Sequence, residues 1–166
     1  MGIYASIPGM VQESLLEKLV LSKFAIDYRK NPNAWGSGGC LGHPALTLLM
    51  SIADTIGSYV LGGSVRDHFN ILDDPNYYNL GIGQTNISTI YGKYRSFQTH
   101  NSTLAVNCNL DINSSSNVVF DVTNNMPTIY LEPFYNSTER VLGSFLPNSA
   151  AIIQSSAQHQ RIVNTP

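Results

Sequence analysis

The chain has 166 residues, with 9 Lys and Arg against 11 Asp and Glu, and a formal net charge of −2. This length fits one domain of roughly 100–200 residues, which buries enough surface to fold without disulfides or a structural metal. A pI near 6.0 excludes a protein that coats nucleic acid through a large excess of basic residues. It leaves open an enzyme that touches one scissile phosphate with one or two arginines.

Cysteine content and hydropathy limit the setting of the chain. Two cysteines, Cys40 and Cys108, do not make a disulfide framework, so we expect reduced thiols. No apolar run reaches the ~18 residues of a membrane span, and the first residues lack the basic region and long apolar core of a signal peptide. We therefore expect a cytoplasmic protein that does not contact a membrane.

The first periodic segment, from about Val11 to Arg29, predicts an amphipathic helix. Apolar residues recur in it at intervals of three and four, and Pro32 disfavours helix just after it. A glycine-rich stretch follows at residues 35–42. A phosphate-binding P-loop would need Lys and then Ser or Thr after its last glycine, and His43 follows here instead. We interpret this stretch as a connector.

A second helix is predicted from Pro44, which suits a first helical turn, to about Leu61. Apolar residues cover so much of its circumference that we expect it to be the central helix. Asp54 lies inside it, either as a buried functional acid or as a carboxylate held by a tyrosine hydroxyl or an arginine. Gly57 is expected to allow close packing against this helix.

The second half of the chain predicts two further helices and a β-hairpin. Residues 64–83 read as irregular, and a third helix begins at Thr85 or Asn86 and lasts to about His100 or Leu104. Two short β-rich runs, 118–122 and 128–131, flank a pair of asparagines. A last helix starts near Glu132 and breaks or kinks at Pro147.

These elements predict an all-α bundle of about four main helices, with a small β-hairpin near residues 118–131, before the last helix. We expect residues 1–154 to form one domain. The polar residues 155–166 are expected to form a loose C-terminal tail.

The most informative pair of residues is Arg95 and His100, five positions apart on the third helix. A guanidinium fork suits phosphate oxygens, and an imidazole suits proton transfer near neutral pH. Together they suffice to deprotonate a ribose 2′-hydroxyl and stabilise charge on the adjacent phosphate without a metal. On an ideal α-helix the two side chains point roughly 140° apart, so the helix must unwind or Arg95 must reach round. Ser96 lies one turn before His100 and can orient its ring.

A plain interpretation competes with this one. Arg95 is then a surface residue of the helix, and His100 is a cation favoured by the dipole at a helix C-terminus.

The segment YRSFQTH at residues 94–100 resembles the signature of the HEPN domain superfamily, in which Arg precedes His by four to six residues. The residue after the Arg in that signature is polar. The resemblance extends over about Val11 to Ile153, and its aromatic lead-in is Tyr91 and Tyr94.

The resemblance implies a helical bundle that dimerises with its motif helices facing each other. Many such domains are metal-independent endoribonucleases, often toxins or anti-phage effectors, whereas others bind nucleotides or partner proteins without cutting RNA. If the roles of the family's motif residues apply to this chain, Arg95 holds the scissile phosphate and His100 is the general base. Ser96 takes the polar position, where family members more often carry Asn. We add Asn101, Tyr94 and Tyr91 as binding residues.

Both functions remain open at this point: an RNA-cleaving enzyme, or a non-catalytic nucleotide-binding or protein-interaction module. Expected partners are RNA or a nucleotide, a second copy of the chain, and an antitoxin or other protein. No cofactor is implied.

One pair of residues in the sequence has the spacing of two metal ligands. Cys40 and His43 are separated by two residues, as in many pairs of zinc ligands, and His68 and Cys108 would have to supply the other two ligands of a site. No second close pair exists, so we predict no metal site.

Overall fold

Two long helices packed against each other form the centre of the fold. We describe a computed structural model of the chain, which covers residues 6–36, 38–96, 104–123 and 125–165. Helix α1 covers Ile7–Asp27, a short helix α2 covers Pro32–Trp35, and helix α3 covers Gly42–Val60. The ends of α1 and α3 lie within a few residues of those predicted.

Helix α1 is amphipathic, as its pattern predicts. The Ser6 hydroxyl accepts a hydrogen bond from the Gly9 N–H at 3.2 Å, which caps the start of the helix. Leu15 and Ile26 are fully buried against the rest of the fold, whereas Val20 and Phe24 on the other face are exposed.

Helix α3 is the central helix, as predicted. Its buried side chains lie on most of its circumference: Ala45, Leu46, Leu49, Met50, Ile52, Ala53, Ile56 and Tyr59. It packs against α1 and against helices from both the middle and the end of the chain.

The segment predicted to be irregular contains helical structure. Helix α4 covers Val65–His68 and continues as a 3₁₀ turn over Phe69–Leu72. A capping box explains this start: Ser64 donates both its backbone N–H and its hydroxyl to the Asp67 carboxylate, at 2.9 and 2.7 Å. The hydrogen bonds hold Asp67 as an anion and lower its pKa.

The third predicted helix begins close to its expected position. Helix α5 covers Gln84–Thr89 and continues directly as a π-helix over Ile90–Ser96. The predicted end of this helix, at His100 or Leu104, falls in or next to a stretch outside the described residues.

A three-stranded mixed sheet corrects the predicted fold class. Strands β2 (Phe120–Thr123) and β3 (Met126–Tyr130) form the antiparallel hairpin that the sequence predicts. Strand β1 (Asn109–Asp111) adds to the other edge of β3 in parallel. The prediction of an all-α four-helix bundle is therefore wrong: the protein is largely helical, with a mixed sheet. A segment of three residues is too short to show the alternation of apolar and polar residues that indicates a strand. Strand β1 is stabilised by its pairing with β3.

The C-terminal part is helical almost throughout. Helix α6 covers Leu131–Phe145 and ends in a 3₁₀ turn over Leu146–Asn148, where Pro147 was expected to break it. Helices α7 (Ser149–Ser155) and α8 (Ala157–Val163) follow.

The prediction of a loose tail over residues 155–166 is therefore wrong where α8 forms a short helix. The Ser156 hydroxyl accepts a hydrogen bond from the His159 N–H at 3.0 Å and caps α8, which also contacts α3 and α7.

Within the described ranges, no single helix is both long and apolar enough to cross a membrane. Helix α3 and the segment Val65–Leu72 meet that test only together, as a pair bent by 102°.

Candidate functional site

The carboxylate of Asp54 is bound by two side chains that lie far from it in the sequence. Its Oδ1 accepts a hydrogen bond from Nδ1 of His68 at 2.7 Å, and its Oδ2 lies 3.2 Å from Nη2 of Arg95. A carboxylate only accepts hydrogen bonds, so the proton of this contact is on Nδ1 of His68. The three side chains are between 11% and 22% exposed, which places the group at the edge of the core.

A glycine on α3 brings His68 to Asp54. Gly57 lies one turn after Asp54, and a Cβ atom built on it would lie 2.1 Å from the carbonyl oxygen of His68. Any side chain here would push α4 away from α3. The close packing that the sequence predicts at Gly57 therefore serves to place His68, and the Ser64–Asp67 capping box fixes the turn that carries it.

The ring of Tyr91 supports two guanidinium groups. The Cζ atoms of Arg66 and Arg95 lie 5.5 and 5.8 Å from its centroid, within cation–π range. The ring in turn packs edge-on against buried Phe69, at 5.7 Å between centroids. Tyr91 thus holds two positive charges close together at the surface.

Helix α1 adds a third cation to this region. The pKa of Lys18 is lowered by partial burial, and the charge of Asp54 acts on it in the opposite direction. We use the name Asp54 cluster for these six residues: Lys18, Asp54, Arg66, His68, Tyr91 and Arg95. They come from α1, α3, α4 and the π-helix.

The opposite face of the π-helix is fastened to the sheet by Tyr94. This side chain is fully buried, and its hydroxyl donates a hydrogen bond to the Pro127 carbonyl and lies 3.2 Å from the carbonyl of Asn109. Burial raises the pKa of the Tyr94 hydroxyl far above its ordinary value. Tyr94, expected to contribute to binding, is therefore an anchor of the helix in this structure.

Apart from Tyr94, the site residues predicted from the sequence divide into three groups. Arg95 and Tyr91 belong to the Asp54 cluster, and Ser96 is the half-buried residue at the end of the π-helix. His100 and Asn101 lie outside the described residues. Among the interpretations of Asp54, the structure agrees with the one in which an arginine binds the carboxylate.

Sequence reasoning missed the roles of Arg66 and His68. His68 was considered only as a completing metal ligand, and 14 residues separate it from Asp54. The available signals were the glycine at position 57 and the capping-box pattern from Ser64 to Asp67, which indicate a turn packed closely on α3.

The side chains that were considered for a metal site do not all meet. Cys40, His43 and Cys108 line one cleft, whereas His68 belongs to the Asp54 cluster. Both cysteines are free thiols. In the part of the chain that the structure describes, no group of three or more His, Cys, Asp or Glu side chains could hold a metal ion.

Comparisons with known family models, with curated proteins and with solved structures found no match to this chain.

Proposed function

We propose that the protein is a metal-independent endoribonuclease of the HEPN type. In this proposal Arg95 holds the scissile phosphate of RNA and His100 removes the proton of the 2′-hydroxyl group. The observation that carries it is the local excess of positive charge around Arg95. Arg95 binds Asp54, Arg66 shares the Tyr91 ring with Arg95, and Lys18 interacts electrostatically with Asp54. These three cations lie with the two carboxylates of Asp54 and Asp67, in a chain whose net charge is negative.

This excess suits a polyanionic ligand. Two guanidinium groups on one aromatic ring repel each other, and a bound phosphate would relieve that repulsion. A guanidinium has five N–H groups. In the contacts between described residues, Asp54 uses one of those of Arg95. Arg95 therefore keeps donors for the oxygens of a phosphodiester.

The backbone of the motif helix also supports the proposal. A π-helix bonds each residue to the fifth one along, and such turns occur frequently at functional sites. The π-helix that contains Arg95 ends at Ser96, and His100 lies outside the described residues.

A symmetric homodimer with facing motif helices belongs to the same proposal. We expect sedimentation to give twice the mass of the chain at micromolar concentration. A monomer under those conditions would contradict this part.

The rival function is a non-catalytic phosphate-binding or protein-interaction module. One observation favours it: Arg95 already has a carboxylate partner, as an arginine with a structural role does. In that case substituting His100 leaves ligand binding intact, because no proton has to move.

The test is cleavage of mixed RNA by purified protein in EDTA, with His100→Ala beside the natural chain. We expect cleavage that persists in EDTA and leaves 2′,3′-cyclic phosphate and 5′-hydroxyl ends. His100→Ala should lose about 100- to 10,000-fold, the range for general acid–base groups. A matched control is His43→Ala, since His43 is an exposed histidine in the first turn of α3 and is not part of the Arg95–His100 motif. Cleavage that stops in EDTA, or that survives in His100→Ala, contradicts the proposal.

A further inference from the structure

His68 has the arrangement of a proton-transferring histidine. Its Nδ1 is bound to the Asp54 carboxylate at 2.7 Å, which fixes both the ring orientation and the position of one proton. Its other nitrogen, Nε2, makes no hydrogen bond to any residue that the structure describes, and the His68 side chain is 11% exposed. A ring fixed at one nitrogen and open at the other can transfer a proton at the open one.

The same carboxylate places this imidazole beside the proposed phosphate-binding arginine. His68 and Arg95 bind the two oxygens of Asp54, one each. Arg66, two residues before His68, shares the ring of Tyr91 with Arg95. An anion that contacts both guanidinium groups would therefore lie next to His68.

The backbone is built to keep His68 at this position. Gly57 lets the carbonyl of His68 approach α3 more closely than any side chain would allow. Asp67, the preceding residue, ties the turn to Ser64 through two hydrogen bonds.

We propose that His68, held by Asp54, is the general acid that protonates the leaving group during RNA cleavage. This inference rests on the proposed function, in which Arg95 binds the phosphate and His100 is the base. It supplies the proton donor that the motif residues alone leave unassigned. Each protomer then contains its own acid and does not need the histidine of a second copy.

The step balances as a transesterification. The 2′-oxygen forms a bond to phosphorus as its proton passes to His100. The bond between phosphorus and the 5′-oxygen breaks as the proton on Nε2 of His68 passes to that oxygen. The products are a 2′,3′-cyclic phosphate and a 5′-hydroxyl, and both histidines return to their starting states by exchange with water.

The charged groups that face His68 come from every element around it. Asp54 on α3 binds it directly, and Arg66 and Asp67 are its neighbours on α4; Lys18 on α1 and Arg95 on the π-helix act on it through Asp54. Asp54 binds the ring at Nδ1, and Arg95 binds the phosphate in the proposed step.

The experiment compares two RNA substrates that differ in one atom. One is a short RNA that the natural protein cleaves, and the other carries sulfur in place of the 5′-bridging oxygen at the cleaved linkage. A thiolate leaves without protonation, so a general acid is needed only for the oxygen substrate.

We expect His68→Gln to cleave the oxygen substrate about 100- to 10,000-fold more slowly than the natural protein. On the sulfur substrate the same variant should come within about tenfold of the natural rate. Asp54→Asn should show a smaller loss that the sulfur substrate also relieves. Arg95→Ala should be slow on both substrates, and His43→Gln should match the natural protein on both.

The natural protein provides a second measurement that does not depend on the folding of any variant. The rate on the oxygen substrate should fall on the alkaline side of its pH profile, as the acid loses its proton, and the sulfur substrate should lack that fall. An alkaline limb shared by both substrates overturns the inference.

The outcomes separate the two proposals. Equal losses of His68→Gln on both substrates, or no loss at all, overturn the role of His68 and leave the ribonuclease in place. No cleavage of any RNA by the natural protein overturns the ribonuclease and the inference together.

Discussion

Two arginines of this protein are held in chemically different ways. On α6, Arg140 donates to the backbone carbonyl oxygens of Tyr77 and Tyr78, at 3.1 and 2.7 Å. In the Asp54 cluster, Arg95 binds a carboxylate that also binds a histidine, and it shares an aromatic ring with Arg66.

The environment of Arg140 is that of a structural clamp. Next to it, Tyr78 is almost fully buried, and its hydroxyl donates to the buried Thr138 hydroxyl at 3.3 Å. Burial raises the pKa of Tyr78 far above its ordinary value, so this side chain stays neutral. The named partners of Arg140 are neutral carbonyl groups, and its donors fasten one loop to α6.

The Asp54 cluster differs in that three cations, Lys18, Arg66 and Arg95, lie with the two carboxylates of Asp54 and Asp67. A clamp of the same shape would need neither Arg66 nor His68. The two arginines therefore differ in their partners, a carboxylate and a shared ring against backbone carbonyl groups, and in burial, since Arg95 is half-buried and Arg140 is exposed.

Among the variants that test this comparison of the two arginines, Arg95→Ala is expected to have the largest effect on RNA cleavage. Removing a preorganised electrostatic contact to the reacting phosphate costs about 100- to 1,000-fold in rate. Arg95→Lys should fail as well, because a point charge does not reproduce the guanidinium fork. Single-turnover cleavage in EDTA measures both variants. A lysine variant with the natural rate would show that the site needs only charge.

Gly57→Ala is expected to disturb the cluster from the backbone side. The added methyl group must displace the carbonyl of His68, and overpacking of this kind destabilises a protein by about 1–3 kcal/mol. Chemical denaturation measures this loss, and the cleavage rate of the folded fraction should fall too, since His68 moves.

Gly143→Ala on α6 is the matched control for this substitution. A Cβ atom there meets nothing within 4 Å, so the change should be neutral or slightly stabilising. Equal behaviour of the two alanine variants would contradict the role of Gly57.

Apart from the Gly143 control, Arg140→Ala should give the smallest effect, and it should be on stability alone. Arg140 is exposed, and losing its two hydrogen bonds to carbonyl groups should cost about 1–2 kcal/mol in the free energy of unfolding. The cleavage rate per folded molecule should not change. A loss of rate beyond the loss of folded protein would place Arg140 in the functional surface after all.

The sequence predicts the helical frame better than it predicts the site. The periodicity of α1 and α3 is strong because each buries a broad apolar face, and the hairpin has its own turn residues. Strand β1 and helix α8 are short, so their stability comes from pairing and capping contacts that no local pattern indicates.

The site divides in the same way. Arg95 stands in a recognisable motif with an aromatic lead-in, and Asp54 was predicted to be held by a hydroxyl or an arginine. His68 could not be assigned, because its partner lies on another helix and only the close approach at Gly57 joins them. A motif predicts the residues on one element, whereas this site is assembled from four.

The most direct test of the account measures cleavage and stability together in Arg95→Ala and Arg140→Ala. Both variants are assayed with the same RNA in EDTA, and each rate is divided by the folded fraction from thermal unfolding. We predict a folded Arg95→Ala protein that cleaves at least about 100-fold more slowly, and a less stable Arg140→Ala protein that cleaves at the natural rate per folded molecule. Losses of activity that only follow the loss of folded protein in both variants would contradict it.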